Sequence, residues 1–550
     1  MELLEKLAKK EEREKRRRQE AGSLWGKRRS ILVVAVIFAL VFISGMVYIS
    51  RSNIIYFWDD STYWDICRNI VAGKLLPDFW VNVYNSIGTN DYNYLAALPS
   101  SAWMYIFGTS RASFVAGNMI IYLLPFMIIL YRLAKKISKA PNFAFAVSVL
   151  ILPATAFLSY NGFVDIGGLL IAAACYNLYY TKDATADKWY RFVAIGILLV
   201  LMMIFRRYFA YFAVSFLTAM AVDCIVFKKK WRYLILTGAV SALLLITVFR
   251  PFLTGILLKD YGTLYSGYKY SIGTDMKLIT RYFGILLLIA VFAVPFILGI
   301  RKKEFRPVFL CLQMLVCAAM FMATQTHGQQ HLLLYIPALS VMVMFLVNCI
   351  SKQWMLGGVC LLAVLNVVNT YIPRQQPGNI QEIKHLAVIP DFSMLPQHRD
   401  DTDAILTLKR DLDKTVPIDS TCSVMASSFV LNDSILRNVE ASINAGETRS
   451  ADYIIGLPEV DSRDYGRLWE IYNASYILVA VPAQTHLASG EQTIVDEGVS
   501  SFINNSDIAE SFTLIENFTR TIGDMEVRLY QRTGEVSMYQ RSMYESRLFY

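Results

Sequence analysis

The chain has 550 residues, of which 55% are hydrophobic and only 18% are charged, and its mean hydropathy is +0.40. Because soluble globular proteins carry about 25% charged residues, this composition excludes an ordinary soluble enzyme and predicts a polytopic membrane protein. The net charge of +9 does not indicate a nucleic-acid partner, since the basic residues concentrate near the start of the chain and in short loops, as membrane topology requires.

The first 30 residues are charged and include EEREKRRRQE. They are too long and too mixed in sign for the n-region of a cleavable signal peptide. We expect residues 1–30 to form a cytoplasmic segment near anionic lipid. The apolar run that follows, ILVVAVIFALVFISGMVYI, is long enough to remain in the membrane as an anchor.

Apolar runs of membrane-helix length predict eleven spans within residues 31–372. Their expected bounds are 31–49, 112–131, 143–160, 163–180, 190–206, 208–227, 233–250, 280–299, 307–324, 331–350 and 355–372. Lysine and arginine cluster in alternate loops, so the positive-inside rule predicts a cytoplasmic N-terminus in the plasma membrane. With an odd number of spans, the C-terminus is then expected on the outer face.

Two long loops are expected outside the cell. The first, residues 50–111, contains YLAALPSSAWMYIFG, which is typical of short helices lying on a membrane. The second, residues 251–278, carries YGTLYSGYKY, and we name it the Tyr-rich loop. Its glycines and aromatic rings suit a mobile cover over a site.

The character of the chain changes near residue 373. Prolines punctuate a linker over residues 373–399, and residues 400–550 predict a small extracytoplasmic α/β domain. CSVMASS, YILVAVP and MEVRLYQRT are predicted strands, whereas GEQTIVDEGVSSFINN is a predicted helix. This domain shows no catalytic motif, and the acids of GLPEVDSRDYG are interpreted as part of a solvated loop.

The eight cysteines include no CxxC pair. Six of them lie in apolar runs, where a small buried hydrophobic side chain is the simplest interpretation. Cys67 and Cys422 lie outside such runs, and a disulfide between them remains an open alternative to two free thiols.

Two adjacent acids, Asp59 and Asp60, follow the first span in YFWDDSTYWD. On the outer face, an ionised carboxylate can take a proton from a sugar hydroxyl. A neighbouring acid can bind the acceptor or a divalent cation such as Mg²⁺ or Mn²⁺. The alternative interpretation is a solvated acid pair in an exterior loop.

A third acid, Asp165, lies in LSYNGFVDIGGLL at the outer mouth of the fourth predicted span. A carboxylate this close to hydrocarbon is costly and is a functional candidate, although a helix N-terminal acid favoured by the macrodipole would fit as well. We expect Asp60 and Asp165 to position the acceptor or to hold the divalent cation.

Basic residues fall on the same face. Arg206 and Arg207 end the fifth predicted span and could bind a substrate phosphate or snorkel to lipid. His327 and His331, in THGQQHLLL, could hydrogen-bond to a phosphate or a sugar, or could simply mark the membrane interface. A metal pair would require a helical turn and a third ligand. Together with the acids and the Tyr-rich loop, these residues predict a reaction on an anionic lipid-linked substrate.

The chain resembles the C-type (GT-C) membrane glycosyltransferases and is similar to the protein O-mannosyltransferases and the lipid A aminoarabinose transferases. FWDDSTYWDICRNIVAGK is similar to the acid pair of the family's first exterior loop, and SYNGFVDIGGLL to its second acid. QQHLLLYIPALSVM resembles a late span of the family. The resemblance implies that Asp59 is the catalytic aspartate. One departure is NDYNYLAALPSS, which lacks the basic residue that relatives carry before Pro-Pro-Leu and leaves the ligand of the donor phosphate open.

These features predict a GT-C-like glycosyltransferase that moves a sugar, with inversion, from a polyprenyl-phosphate donor in the lipid to a cell-surface polysaccharide or similar glycopolymer. Asp59 is the expected general base. The expected ligands of the donor phosphate are Arg206, Arg207, His331 and His327. The alternatives are a glycan polymerase, an O-acyltransferase, and a flippase for lipid-linked glycans, which would need polar residues through the membrane. Asp223, near the inner end of the sixth predicted span, is the main residue of that kind.

Overall fold

The computed structural model describes most of the chain. The described residues are 31–180, 188–226, 230–302, 305–374, 380–446 and 448–548. The charged segment 1–30 and several lysines of the basic loops lie outside these ranges, so the predicted cytoplasmic side of the chain stays a prediction.

The described residues between 31 and 372 are mainly helical, as predicted. In chain order the α-helices are α1 (Ile31–Arg51), α2 (Thr62–Val71), α3 (Phe79–Thr89), α4 (Tyr94–Phe107), α5 (Arg111–Asn118), α6 (Leu124–Ile137), α7 (Pro141–Leu150), α8 (Ala154–Tyr160), α9 (Ile166–Tyr179), α10 (Trp189–Phe205), α11 (Phe209–Val226), α12 (Trp231–Thr247), α13 (Arg250–Phe252), α14 (Tyr261–Leu264), α15 (Ile272–Phe283), α16 (Ile285–Lys302), α17 (Arg306–Thr324), α18 (Ile336–Cys349) and α19 (Gln353–Asn369). A π turn, Met119–Leu123, joins α5 to α6, and another, Leu253–Leu257, follows α13.

Long apolar helices account for the high hydropathy of the chain. Four are long and apolar enough to cross a bilayer, namely α1, the continuous α5–α6 helix, α11 and α17. Counting each bent pair of helices as one span gives up to seven among the described residues, and α9, α10, α18 and α19 are shorter apolar helices. The chain is therefore a multi-pass helical membrane protein. Each of the eleven predicted spans overlaps one of these helices or pairs, and eleven crossings stay a prediction.

The eighth predicted span begins later than expected. Residues 280–283 belong to the amphipathic helix α15, which meets α16 at an angle of 89°. The corner is Gly284, whose φ of +76° is accessible to glycine without steric cost. A Cβ at this position would lie 2.8 Å from the Cα of Ile389. Hydropathy does not reveal this corner, because both helices contribute apolar residues to one continuous run.

The tenth predicted span also begins later. Gln329–Leu334 forms a 3₁₀ turn, and α18 starts only at Ile336. His327 and His331 therefore do not lie on one α-helix, and the helical condition for a metal pair is not met.

The linker packs against the membrane region where it is described. The Asp391 amide donates to the Arg281 carbonyl over 2.7 Å, and Phe392 is fully buried. Further along, Asn53 and His398 form an isolated bridge. The linker thereby carries the chain back to the loop of residues 50–111, where the candidate site lies.

The C-terminal part, residues 400–548, forms an α/β domain. Its helices are α20 (Thr402–Thr415), α21 (Asp433–Ser442), α22 (Asp461–Asp464), α23 (Trp469–Asn473), α24 (Thr493–Asn504) and α25 (Met538–Leu548), and its strands are β1 (Cys422–Met425), β2 (Ile454–Gly456), β3 (Tyr476–Val481), β4 (Phe512–Ile522) and β5 (Met525–Arg532). The sheet order is β2-β1-β3-β5-β4. Strands β2, β1 and β3 are parallel, β5 is antiparallel to β3, and β4 and β5 form an antiparallel hairpin.

Helices cover both faces of this sheet. Leu478 and Ala480 join an apolar cluster with α20 and α21, whereas Ile477 and Val479 join another with α24 and α25. This separation follows from the alternation of side chains along a strand. The predicted strands and helix of this domain are confirmed as β1, β3, β5 and α24.

All eight cysteines are free thiols. Cys67 lies in the core of the membrane region, and Cys422 lies in the core of the C-terminal domain. The disulfide that the sequence left open is therefore not formed.

Candidate functional site

Asp59 lies in a 3₁₀ turn, Trp58–Asp60, directly before α2. One carboxylate oxygen, Oδ2, accepts a short hydrogen bond from Nε2 of Gln330. The other, Oδ1, lies 3.8 Å from Nη2 of Arg206. Its side chain keeps 30% of its surface exposed, so a substrate can reach the carboxylate. The turn therefore places Asp59 in the site. The 3₁₀ turn Gln329–Leu334 and the junction between α10 and α11 form the rest of this site.

Asp165 lies at the N-terminus of α9, but its side chain makes no capping hydrogen bond there. Its Oδ1 instead accepts from Nε of Arg206 at 2.9 Å and from the hydroxyl of Tyr208 at 2.5 Å. The side chain is only 2% exposed. Asp165 does lie at the N-terminus of α9, as the macrodipole alternative expects, and its hydrogen bonds to Arg206 and Tyr208 also join it to the site.

Arg206 lies at the break between α10 and α11 and links the two acids. Its guanidinium contacts both Asp59 and Asp165 and stacks on the ring of Tyr92, 4.2 Å from its centroid. We name Asp59, Asp165 and Arg206 the acid–arginine cluster. Removing one partner of a buried ion pair costs about 3–5 kcal/mol, which applies to the buried Arg206–Asp165 pair, and Arg206 is the member that contacts both acids.

The electrostatics of Asp59 suit a proton acceptor. Burial raises the pKa of Asp59 above its ordinary value, the nearby Asp165 carboxylate adds to the rise, and the Arg206 guanidinium opposes it. A base is most effective when its pKa lies near the working pH. The cluster therefore holds a carboxylate that is a stronger base than a solvated aspartate.

Asp60 faces a different arginine. Its backbone carbonyl accepts from Nη1 of Arg111 at 2.5 Å, while its Oδ1 is buried with no hydrogen-bond partner among the described residues. Burial raises the pKa of Asp60 to about 7, although Arg111 lowers it. Near neutral pH Asp60 is therefore available both as a donor and as an acceptor of hydrogen bonds.

Arg111 is held rigidly at the start of α5. It is 3% exposed, lies 3.8 Å from the ring centroid of Tyr56 and donates a short hydrogen bond to the carbonyl of Asn161. Gly162 has a φ of +72°, and a Cβ there would lie 2.7 Å from Nη2 of Arg111. Glycine at 162 therefore lets the arginine reach across to the acid pair.

Arg207 faces the opposite side of the junction from Arg206. It pairs with Asp91 of the 50–111 loop and donates a short hydrogen bond to the hydroxyl of Tyr265. Its guanidinium also lies 4.4 Å from the ring centroid of Tyr261. The Tyr-rich loop thus covers Arg207, in agreement with its expected role. The mobility of this loop stays a prediction.

A cavity of about 350 Å³ is lined in part by Tyr92, whose ring contacts Arg206, whereas Asp59, Asp165 and Arg206 do not line it themselves. Its lining is polar and aromatic and includes Thr62, Asn90, Asp91, Tyr92 and Lys259. Pockets for small ligands begin near this size, and hydroxyl, amide and ring groups are suited to binding a sugar.

The two histidines have different surroundings. His327 is 1% exposed, and its ring nitrogens pair with Asp275 at 2.8 Å and with the hydroxyl of Tyr335 at 2.6 Å. His331 Nδ1 accepts from the amide of Gly328 at 2.8 Å. The His331 ring lies 4.8 Å from that of Tyr208, which places it next to the cluster. His327 is therefore buried in its own network, and His331 is the histidine nearer the acid–arginine cluster.

The donor set does not favour the expected cation between Asp60 and Asp165. Among the described residues, no group of three or more histidine, cysteine, aspartate or glutamate side chains could hold a metal ion. The recorded partners of Asp165 are a guanidinium and a hydroxyl, and a neighbouring guanidinium repels a cation. No chemical step is therefore derived through a metal.

Sequence reasoning missed the residues that support the acids. Arg111, Gln330, Tyr208 and Asp91 contact predicted site residues, but none was singled out. Arg111 had a signal, since a basic residue at the outer end of a span is unusual on a face poor in charge. Gln330 and Tyr208 had none, because a neutral polar residue beside a span is common.

The C-terminal domain touches the site through a segment that was interpreted as a solvated loop. In GLPEVDSRDYG, the Asp464 side chain is 1% exposed and accepts hydrogen bonds from Arg463 and from two backbone amides. Nη1 of Arg463 also donates to the hydroxyl of Tyr268 at 3.2 Å. That interpretation is wrong, because this segment is packed against the Tyr-rich loop.

Comparison with known proteins defines the fold. No protein-family model matches the chain, and no curated protein matches it significantly in sequence. The crystal structure of ArnT from Cupriavidus metallidurans in the apo state is similar with a TM-score of 0.58 at 10% identity, over 92% of this chain and 98% of ArnT. The chain has the GT-C fold of ArnT.

The ArnT structure bound to undecaprenyl phosphate gives a TM-score of 0.55 at 11% identity, over 90% of this chain and 97% of ArnT. The archaeal oligosaccharyltransferase AglB from Archaeoglobus fulgidus, in complex with an inhibitory peptide and a dolichol-phosphate, gives 0.45 at 12% identity over 82% of this chain and 69% of AglB. A score below 0.5 establishes no shared fold. The GT-C resemblance that the sequence motifs indicated is confirmed by the ArnT structures, which cover almost the whole chain.

Proposed function

We propose that this protein is a membrane glycosyltransferase that moves a sugar from polyprenyl phosphate to an acceptor on the outer face of the plasma membrane. One observation is the main support for the proposal. Segments up to 271 residues apart in the chain bring Asp59, Asp165, Arg206 and Gln330 into one cluster of hydrogen bonds and ion pairs. Tyr92, which contacts Arg206, lines a neighbouring cavity of about 350 Å³. A structural role alone does not require a partly exposed carboxylate with a raised pKa at such a place.

The fold and the arginines support a position for the donor. ArnT, which has the same fold, has been crystallised with undecaprenyl phosphate, and this supports a polyprenyl-phosphate sugar as the donor here. Its phosphate would lie near Arg207, His331 and the outer edge of Arg206, and its sugar would enter the cavity lined by Tyr92. Arg207 already holds a carboxylate, Asp91, and a phosphate offers the same kind of oxygen ligands. Both ring nitrogens of His327 are already paired, so His327 would stabilise the protein around the phosphate and would not bind the phosphate itself.

Asp59 acts as the general base in the proposed reaction. An acceptor hydroxyl gives its proton to the Asp59 carboxylate as its oxygen attacks the anomeric carbon. The bond from that carbon to the phosphate oxygen breaks, and polyprenyl phosphate leaves with the electron pair. Attack from the face opposite the leaving group inverts the anomeric carbon. General-base assistance of this kind contributes about 10²–10⁴-fold.

The other residues orient the reactants. Arg206 holds Asp59 and Asp165 in fixed positions, and Gln330 fixes one Asp59 oxygen so that the other faces the acceptor. Asp60, with a pKa of about 7, binds acceptor hydroxyls. The acceptor is a cell-surface polysaccharide or related glycopolymer, and the N-terminus lies in the cytoplasm with the C-terminal domain outside.

The test is release of sugar from the lipid. Purified protein in lipid vesicles is incubated with a panel of radiolabelled polyprenyl-phosphate monosaccharides and with cell-envelope polymer, comparing the wild type with Asp59→Asn. Asp78→Asn is the matched control, because Asp78 is an exposed acid of the same loop. Release by the wild type and the control but not by Asp59→Asn supports the proposal.

Two further arms separate the alternatives. Movement of labelled lipid across the vesicle membrane without release would favour a flippase, and release only from lipid-linked oligosaccharide would favour a polymerase. Adding or withholding Mg²⁺ and Mn²⁺ tests the expected cation, and equal turnover in a chelator would remove it from the account.

A further inference from the structure

We propose that the C-terminal domain positions Asp59, by holding the preceding residue, Trp58, in a left-handed backbone conformation. The inference rests on the function proposed above and extends it, since it assigns to this domain a role in the transfer step. Trp58, Ser434 and His486 are positioning residues in this account, because they act on the reaction through Asp59.

The backbone of Trp58 is unusual. Its φ is +47°, a region that residues with bulky side chains rarely occupy. Such strain persists only where the surroundings over-determine it, and it concentrates at functional sites. Trp58 directly precedes Asp59, so this dihedral angle decides where the Asp59 carboxylate points.

The C-terminal domain supplies the contacts that hold Trp58. The Trp58 amide donates to Oγ of Ser434, on α21, at 3.0 Å. The indole lies 4.5 Å from the ring of His486 and 5.4 Å from that of Phe429, measured between centroids. Backbone and side chain are thus both fixed by the same domain, from two separate segments of it.

The start of α2 is fixed in the same way. Asn438, also on α21, donates to Oδ2 of Asp65 at 3.0 Å and to Oγ of Ser61 at 3.2 Å. Oγ of Ser434 lies 3.2 Å from Oγ of Ser61. The domain therefore holds the residues on both sides of the acid pair, which is what a carboxylate placed to within a fraction of an ångström requires.

The domain also holds the opposite wall of the site. Ser462 donates to the carbonyl of Leu264 at 3.3 Å, and Arg463 donates to Tyr268. His486 lies 6.2 Å from the Tyr268 ring, so one side chain contacts the rings of both loops. The base and the cover over Arg207 are thereby fixed relative to each other through one domain.

His486 keeps this contact neutral. It is half-buried, and its Nδ1 lies 2.8 Å from the carbonyl of Ser427, to which it donates. Burial lowers the pKa of His486 to about 4. The imidazole is therefore neutral near neutral pH, and its contact with Trp58 carries no charge there.

The test compares Trp58→Ala with Trp58→Gly in the sugar-release assay. Both variants lose the indole, but only glycine adopts a φ of +47° without strain. Because a misplacement of about 1 Å can cost about 100-fold, we expect Trp58→Ala to lose about that factor in kcat, with KM for the donor little changed. Trp58→Gly should recover about tenfold of the loss. Trp469→Ala, at a tryptophan that is 57% exposed in the same domain, is the control and should match the wild type.

A pH profile and a double variant distinguish positioning from general stability. If Asp59 moves away from Arg206, its pKa rises further, so the acid limb of kcat/KM should shift to higher pH in Trp58→Ala and return in Trp58→Gly. Ser434→Ala combined with Trp58→Ala should cost less than the product of the two single losses, since both act on one conformation.

Equal activity of the alanine and glycine variants, or an unshifted acid limb in Trp58→Ala, would overturn the inference. Those results would leave the proposed function intact, provided that the wild type releases sugar and Asp59→Asn does not. Absence of release by the wild type would instead overturn the proposed function, and this inference with it.

Discussion

At the scale of single residues, the acids of the site are held by only two arginines. Asp59 and Asp165 share one guanidinium, that of Arg206, while Asp60 relies on Arg111. A guanidinium presents several donors in a rigid plane, so Arg206 can contact two carboxylates at once. The arrangement predicts that the geometry of the cation matters as much as its charge.

Arg206→Lys tests this geometry. Lysine keeps the charge, but its single nitrogen cannot replace both Nε on Asp165 and Nη2 on Asp59. We expect kcat/KM to fall about 100-fold, in line with the cost of a misplaced group, with the protein still folded. Sugar release is the measurement, and Arg51→Lys, at the exposed end of α1, is the control. Activity within twofold of the wild type would show that charge alone suffices.

Asp60→Asn tests the environment of the second acid. Because folding raises the pKa of Asp60 to about 7, its neutral form is favoured in the folded state. The stability it contributes is fully present below the unfolded pKa, about 3.9, and is lost as the pH rises through about 7. Asparagine is always neutral, so the melting temperature of the variant should exceed that of the wild type by more at pH 8 than at pH 5.

Thermal melting in detergent, recorded from pH 5 to pH 8, measures this difference. The exposed Asp78→Asn variant should follow the wild type throughout. A difference between Asp60→Asn and the wild type that is the same at both ends of the range would contradict a raised pKa for Asp60.

At the scale of elements, corners and turns rather than helices decide the site. Arg206 lies at the α10–α11 break, Asp59 in a 3₁₀ turn before α2, and Gln330 in a 3₁₀ turn before α18. The α15–α16 corner at Gly284 places α15 beneath the linker, where Asp391 contacts Arg281. Helices fix the frame, and the breaks between them project polar side chains into the site.

Gly284→Ala tests the importance of the α15–α16 corner. A φ of +76° strains any residue with a Cβ, and the new atom would meet the backbone of Ile389. Strain of this kind costs about 1–3 kcal/mol, so the melting temperature should fall. Gly238→Ala, inside α12 with open space around it, should be neutral or stabilising. Equal melting temperatures for the two variants would show that the corner tolerates a side chain.

The sequence predicts the frame of the molecule better than its site. Hydropathy finds the apolar helices of the membrane region, because a membrane helix is a local pattern, but it misses the α15–α16 corner and the later start of α18. Asp59, Asp165 and Arg206 are found as residue types, since charges at the ends of spans are conspicuous. Their sharing of one guanidinium is not found, because it depends on contacts between segments far apart in the chain. The role of Gln330 and the contact of Arg463 with the Tyr-rich loop are missed for the same reason.

At the scale of the whole molecule, two bodies meet at the site. The helical membrane region supplies Asp165 and the arginines, and the C-terminal domain contacts Trp58 and Tyr268 on opposite walls. The fold shared with ArnT spans both bodies, since the match covers 92% of this chain. Transfer of a sugar at the membrane surface is the chemistry that this arrangement serves in our account.

The most direct test of this account is a single-turnover experiment on Asp59→Asn with the donor already bound. Donor affinity should stay within a few-fold of the wild type, because the proposed phosphate ligands are intact. The first-turnover rate should fall by about 10²–10⁴-fold, because the proton of the acceptor has no base. A first turnover close to the wild-type rate, or a loss explained entirely by weaker donor binding, would contradict the assignment of Asp59 as the base.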